Sequence, residues 1–293
     1  MNSSPYLARP VVSTQWLADQ LGRENLVVVD ASVLSVPGFD GRLVPLSGED
    51  QYLVEGHVPG AVFADLIEQF SDPAAPHPFT RLDPERFSAA TAALGIDDDS
   101  VVVVYDTASG QWASRLWWLL RAAGHDAAAV LDGGLSAWRR EARQIDTGYV
   151  APTPGHGITV RPERPLWIDK AEVERVVRRE APGALVCALP TKEFTGESGQ
   201  RPRLGHLPGS TNVPAARLLD RAAGTLLPPD RLRARFGDVL GAERIVLYCG
   251  GGIAATADAL ALTLLGARDV VVYDGSLNEW AADPLAPLVV TAA

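Results

Sequence analysis

The chain has 293 residues, of which 47% are hydrophobic and 21% charged, and its formal net charge is −10. The length suits two domains of average size, and the composition suits a globular protein with apolar cores. The acidic balance argues against nucleic acid as a partner, no apolar run of about 18 residues is present to span a membrane, and two cysteines cannot build a disulfide framework.

The first ten residues, M-N-S-S-P-Y-L-A-R-P, lack a basic stretch followed by an apolar one. No signal peptide is expected, and the cytoplasm is the expected compartment. A helix follows over 13–21, with Ser13 or Thr14 as N-cap. A strand is expected over 26–30, and a helix opened by Asp83 or Pro84 and running to 94. Residues 101–105 are four valines and a tyrosine without alternation, a strand buried on both faces. A helix over 114–123 and a strand over 128–131 complete a first block. Residues 141–165 are rich in Pro, Gly and Thr with no apolar period and read as a linker. A second block has helices over 170–179, 231–240 and 254–265 and strands over 185–188, 245–248 and 270–273. The tail from Asp283 onward is expected to run over the surface. Strands separated by helices imply parallel βαβ units, so each block is an α/β domain, over 10–140 and 166–285.

The two blocks match each other in order. Gly56-His57-Val58-Pro59-Gly60 returns as Gly205-His206-Leu207-Pro208-Gly209. The run V-V-V-V-Y-D ending at Asp106 returns as R-I-V-L-Y-C ending at Cys249. Leu131-Asp132-Gly133-Gly134-Leu135 with Trp138 returns as Tyr273-Asp274-Gly275-Ser276-Leu277 with Trp280. Three ordered matches make this a duplicated domain.

The chemistry is concentrated at Cys249, which stands between a strand and Gly250-Gly251-Gly252, just before a helix. Glycines let a backbone adopt positive φ and turn its N–H groups inward. A helix start adds unpaired N–H donors and the positive end of a dipole. Such a loop stabilises an anion, here a thiolate or a species grown from it. Ligands on parallel sheets bind at the carboxyl ends of strands, which is where Cys249 sits. Cys187, inside a strand where the first copy has Asp30, reads as a small core residue.

The paired G-H-[VL]-P-G segments, the D-G-G-L and D-G-S-L segments with their tryptophans, and the loop C-G-G-G-I-A together resemble the tandem-domain rhodanese family, the thiosulfate and 3-mercaptopyruvate sulfurtransferases. The resemblance covers roughly residues 10 to 285. It implies two tandem rhodanese-like α/β domains, each a mostly parallel sheet with helices on both faces, with only the second catalytic and the site at their interface. A carboxylate at Asp106, in the loop Thr107-Ala108-Ser109-Gly110-Gln111-Trp112, cannot carry a sulfane sulfur. In the second domain a Cys249 persulfide would be held by the amides of Gly250, Gly251, Gly252, Ile253 and Ala254, in a ping-pong cycle without cofactor. The implied partners are a small-molecule sulfur donor and a thiol, thioredoxin or cyanide acceptor.

In that family, thiosulfate-preferring members carry C-R-K-G-V and mercaptopyruvate-preferring members carry C-G-S-G-V. Here Gly250 and Gly251 stand at the two variable positions, without the cations and without the serine linked to proton transfer, nearer the mercaptopyruvate type. Glu193 occupies a position where family members often place a substrate arginine, and Arg201 and Arg203 are the nearest replacements, or else solvated loop residues. His57 matches a histidine that mercaptopyruvate enzymes are thought to use across the interface, although its repeat as His206 favours a turn role, and Glu49 and Asp50 are candidates for its acidic partner. Asp274 and Ser276 either face the loop or belong to a tight turn.

Two other readings compete. A cysteine phosphatase needs an arginine about six residues after its cysteine, but Ala255 is there and the next arginine is Arg268. A non-catalytic binding or redox-sensing module is the other, and the first copy has that character. The histidines and cysteines lack zinc-ligand spacing.

Overall fold

The computed structural model describes residues 7, 9–39, 41–107 and 109–291. Ala108 of the first-copy loop, most of the N-terminal segment read above and the last two residues of the tail lie outside them. In chain order the strands are Val11–Val12 (β1), Leu26–Asp30 (β2), Val33–Pro37 (β3), Leu43–Ser47 (β4), Val62–Phe63 (β5), Val101–Tyr105 (β6), Ala128–Leu131 (β7), Trp167–Ile168 (β8), Ala184–Cys187 (β9), Thr211–Asn212 (β10), Ile245–Tyr248 (β11) and Val270–Tyr273 (β12). The helices are Thr14–Gln20 (α1), Glu49–Glu55 (α2), Pro84–Ala93 (α3), Gln111–Ala122 (α4), Gly134–Arg140 (α5), Lys170–Val177 (α6), Thr191–Thr195 (α7), Pro229–Phe236 (α8), Ala254–Leu264 (α9) and Ser276–Trp280 (α10).

By their contacts the residues form two compact units. The first holds a five-stranded sheet in the order β1-β7-β6-β2-β5, and the second one in the order β10-β9-β11-β12-β8. Every neighbouring pair in both is parallel. Position by position the second order is the first reversed, as a duplicated βαβ pattern requires. The central strands β6 and β11 are buried at every residue, which the unbroken apolar runs foretell. Helix α4 packs on β6 and β7, and α9 packs on β11 and β12. Among the described residues, only the first copy inserts an antiparallel hairpin, β3–β4.

Local chemistry sets the helix starts. Ser13 caps α1 through the Trp16 N–H, Asp83 caps α3 through the Arg86 N–H, and Asp169 with Glu172 forms a capping box on α6. Helix α4 begins at Gln111, earlier than its apolar pattern suggests, because Gly110 takes a left-handed φ of 72° just before it.

The repeated G-H-[VL]-P-G segment has a structural purpose in each unit. The His57 backbone pairs with Asp146, and the His206 backbone pairs with Val289, so chain returning from the last helix is stitched to this turn. A Cβ on Gly56 would stand 2.6 Å from the Asp146 oxygen, and one on Gly205 would stand 2.3 Å from the Val289 oxygen. Glycine is required there for close approach as well as for its positive φ of 98° and 110°. Trp138 and Trp280 hold the same returning segments, donating to the carbonyls of Gln144 (2.7 Å) and Pro287 (2.8 Å).

That stitching bears on two expectations. The tail after Asp283 runs over the surface as expected, mostly exposed, and is tied to the second unit through Val289 and through the Thr291 N–H on the Thr195 oxygen. Residues 141–164, read as linker, belong to the first unit. Gly148 donates to Leu53, Gly155 to Ala92 and Thr159 to Asp98, while Arg164 forks onto Asp126. A segment without apolar period still has backbone donors to satisfy, and here it satisfies them on a folded surface. Two short excursions also depart from a simple division, since 74–80 belongs to the second unit and 221–225 to the first.

Candidate active site

Strand β11 delivers Cys249 to the carboxyl end of the second sheet, between β9 and β12. Cys249 is 2% exposed. Of the three glycines after it only Gly252 has a left-handed φ, 75°. Gly250 and Gly251 are instead closely approached by the ends of two side chains. A Cβ on Gly250 would lie 3.1 Å from Arg201 Nη1, and one on Gly251 would lie 2.9 Å from Asn278 Nδ2. Helix α9 then starts with Ile253 as N-cap and no side-chain cap, so its first N–H groups face the loop. Among the described residues no group accepts from the N–H of Gly250, Gly251, Ile253 or Ala254.

The loop is held by the start of α10. The Ser276 hydroxyl accepts from the Cys249 N–H (3.1 Å) and the Gly252 N–H (3.2 Å), and donates to the Tyr273 oxygen (2.7 Å). The Leu277 N–H donates to the Cys249 oxygen at 3.1 Å, and the Asn278 N–H donates to the Gly250 oxygen at 2.8 Å. The carbonyls of the loop thus face α10, which leaves donors for an anion. Gly252, expected among the persulfide-holding amides, has its N–H committed to Ser276. Ser276 does this from a left-handed φ of 47°, a strained conformation for a side chain with a Cβ.

The proposed substrate residues separate. Arg201 stands against Gly250, with Nη2 on Glu193 Oε2 at 2.8 Å. Glu193, at the position where an arginine was expected, orients the arginine that comes from elsewhere. Arg203 is not brought to the loop, since Nη1 and Nη2 donate to the carbonyls of Asp283 and Ala286 and fasten the tail. His57 is fully buried in the first unit, stacked on Tyr52 at 4.1 Å with its two ring nitrogens facing the carbonyls of Val58 and Gly148. His206 repeats this on Phe194 at 3.7 Å. These histidines hold turns, as their repetition suggests. Asn278 and the pair Pro78–Phe79, whose oxygen and Cδ2 both lie 3.6 Å from the Gly251 Cβ position, were not singled out from sequence. Their only signal was that two glycines must make room for something.

Two buried acidic groups lie behind the loop. Cys187 pairs in register with Tyr248, and burial pushes its thiol up to about 12, so it stays protonated. Asp258, in the middle of α9, is wholly buried with neither carboxylate oxygen hydrogen-bonded. Burial raises its pKa well above the usual carboxylate range.

The first unit contains the same loop with the anion built in. Asp106 Oδ1 accepts from the Gly110 N–H at 2.9 Å, and Oδ2 accepts from the N–H groups of Trp112 and Ala113 at 3.1 Å. The Leu135 N–H donates to the Asp106 oxygen at 3.1 Å, as Leu277 does to Cys249. Gly134, at the position of Ser276, has a φ of 54°.

The Rhodanese-like domain family matches residues 13–141 and 189–283, one match over each copy. The chain belongs to this rhodanese-like family. It is 34% identical over 286 residues to a 3-mercaptopyruvate sulfurtransferase of Escherichia coli O157:H7, covering 94% of this chain and 98% of that one. The human 3-mercaptopyruvate sulfurtransferase is also 34% identical, covering 95% of this chain and 94% of its own. A putative thiosulfate sulfurtransferase of Mycobacterium tuberculosis is 33% identical over 84% of this chain and 87% of its own. The crystal structure of SseA from Escherichia coli, described as a 3-mercaptopyruvate sulfotransferase of rhodanese fold, superposes with a TM-score of 0.80 at 30% identity, over 92% of this chain and 98% of that one. This rhodanese-family chain is a sulfurtransferase enzyme that takes sulfur from a small donor and gives it to an acceptor. No helix among the described residues is long and apolar enough to cross a membrane.

Proposed function

We propose that the chain moves a sulfane sulfur from 3-mercaptopyruvate to a thiol such as that of thioredoxin, or to cyanide, through a persulfide on Cys249. The Cys249 thiolate attacks the donor's sulfur, forming an S–S bond. The C–S bond breaks with its electron pair on carbon, giving the enolate of pyruvate. The proton of the Cys249–S–SH group then passes to that carbon, leaving Cys249–S–S⁻ and pyruvate. An acceptor thiolate or cyanide attacks the terminal sulfur and returns Cys249 as thiolate, a two-step covalent cycle.

The observation that carries this reading is the amide cradle beside Cys249, whose Gly250, Gly251, Ile253 and Ala254 N–H groups are without acceptors, while the same cradle in the first unit is filled by Asp106. A persulfide anion supplies the missing acceptor, and each well-placed donor stabilises such a charge by about 3 kcal/mol. Arg201 supports a donor with one carboxylate, because its guanidinium already shares the charge of Glu193. Thiosulfate brings two negative charges to a loop that has no cation of its own at Gly250 or Gly251.

The test is the intact mass of the purified chain after exposure to 3-mercaptopyruvate or thiosulfate. We expect a gain of one sulfur, about 32 Da, that is faster with 3-mercaptopyruvate and absent in Cys249→Ser, as covalent transfer requires. Arg201→Ala should raise KM for 3-mercaptopyruvate about tenfold or more, the loss of a charge-assisted contact. Loading of Cys249→Ser would refute the assignment of the nucleophile, and faster loading from thiosulfate would refute the donor.

A further inference from the structure

The space that a side chain at position 251 would fill is taken by Asn278. Its carboxamide Nδ2 lies 2.9 Å from where a Gly251 Cβ would stand. Its main chain is fixed to the same loop by the 2.8 Å bond from the Asn278 N–H to the Gly250 oxygen. Ser276, two residues before, bonds the loop on either side, and Leu277 bonds Cys249. Two main-chain bonds and two bonds to the Ser276 hydroxyl therefore tie the 276–278 segment to the loop and bring the Asn278 side chain to it. Yet among the described residues its own two N–H donors and one acceptor make no hydrogen bond, and the residue is half-buried. An amide held against the nucleophile's loop with no partner in the chain is available to a substrate.

We infer that Asn278 is a specificity-determining residue that donates a hydrogen bond to the keto oxygen of an α-keto donor. The inference rests on the donor proposed above. When the C–S bond breaks, the negative charge left on carbon moves onto that oxygen as the enolate forms. A fixed N–H donor there is worth more as the charge develops than in the ground state. Arg201 beside Gly250 takes the carboxylate and Asn278 beside Gly251 takes the keto oxygen, so the two glycines open the places from which adjacent oxygens of one small molecule are read. A sulfur donor without a carbonyl gains nothing from Asn278.

The experiment compares wild type, Asn278→Ala, Gly251→Ser and the double variant. Each is loaded at Cys249 from 3-mercaptopyruvate and from inorganic polysulfide, and the rate of the sulfur mass gain is measured. The backbone bond from residue 278 to Gly250 survives in every variant, and thermal melts check that each is folded. Loss of an oxyanion donor typically lowers a rate about 100-fold, so the ratio of 3-mercaptopyruvate rate to polysulfide rate should fall by about that factor in Asn278→Ala. Gly251→Ser alone should be impaired, because its Cβ meets the carboxamide. Removing that carboxamide makes room, and the double variant should recover at least part of the lost ratio through the serine hydroxyl. An unchanged ratio in Asn278→Ala, or an equal fall with both donors, overturns the assignment to Asn278. Failure of the donor reading looks different, since wild type itself would then load from polysulfide and not from 3-mercaptopyruvate, and the role of Asn278 would fall with it.

Discussion

Replacing Ser276 by alanine and by glycine should separate two opposing contributions at one residue. The hydroxyl accepts two N–H groups, from Cys249 and Gly252, and donates to the Tyr273 carbonyl, all in a fully buried position. Either replacement removes all three of these hydrogen bonds, and a buried group left without a partner costs about 1–3 kcal/mol. Partial relaxation and shared loss make a total of about 2–4 kcal/mol reasonable. The φ of 47° acts in the other direction. A left-handed residue with a Cβ is strained by about 1–2 kcal/mol, and glycine is not. Ser276→Gly should therefore be more stable than Ser276→Ala by about 1 kcal/mol, although glycine also has more unfolded-state freedom to lose.

Urea unfolding of wild type and both variants gives the stabilities, and sulfur loading at Cys249 gives the function. Both variants should load more slowly than wild type, because the Cys249–Gly252 turn loses the Ser276 clamp. The stability order should be wild type, then glycine, then alanine. Alanine at or above glycine would show that the positive φ stores no strain. Full stability in both variants would show that the two N–H groups find other acceptors, and the reasoning about the clamp would fail.

Asp258→Asn should change how stability depends on pH. The folded-state pKa lies well above that of the unfolded chain, so on raising the pH past about 4 the unfolded chain releases its proton first. Wild type then loses stability with rising pH, until the folded pKa is reached. Asparagine cannot ionise, so its advantage over wild type should be absent near pH 4 and grow toward neutrality, as read from urea midpoints. A pH-independent difference would mean that Asp258 is not the group responsible. Asp106→Ala should destabilise the first unit by about 3 kcal/mol, since three N–H groups lose a charged acceptor. The same variant should leave Cys249 able to take up sulfur, and loss of loading in folded protein would contradict a purely structural Asp106.

Runs of one kind of residue were legible in the sequence, and single contacts were not. The unbroken valines of β6 and the I-V-L-Y of β11 showed as buried central strands because a parallel sheet is covered on both faces. The place of Cys249, at a strand end before a glycine loop and a helix, was legible because the apolar run and the three glycines mark that turn. What stands against two of those glycines was not, because Arg201 lies 49 residues before Gly250 and Asn278 lies 27 residues after Gly251. Arg201 and Arg203 looked equivalent in G-Q-R-P-R, and only the partners separate them, Glu193 for one and two tail carbonyls for the other. Ser276 could not be told from an ordinary turn residue until its φ and its two N–H partners were known. Residues 141–164 carry no period because they pair their backbone with a folded surface, and no side-chain pattern records that.

The two copies explain each other better than either explains itself. Both end a buried central strand in a loop and a helix start, and both send the next helix's leucine N–H, from Leu135 or Leu277, back to the loop carbonyl. In the first copy the residue after the strand is a carboxylate, and it occupies the amides that the loop presents. Its helix then needs no other anion, and glycine at 134 suffices where no clamp is needed. In the second copy the residue is a thiol, whose sulfur lacks two outstretched oxygens to reach three amides. Ser276 takes up two of the surplus N–H groups and accepts the strained φ that this demands. The remaining N–H groups have no acceptor among the described residues, and under the function proposed above the outer sulfur of a Cys249 persulfide would meet them. On that proposal a single change of residue type, from a side chain that fills its own cradle to one that is an atom short of filling it, would make one copy silent and the other reactive on the same fold.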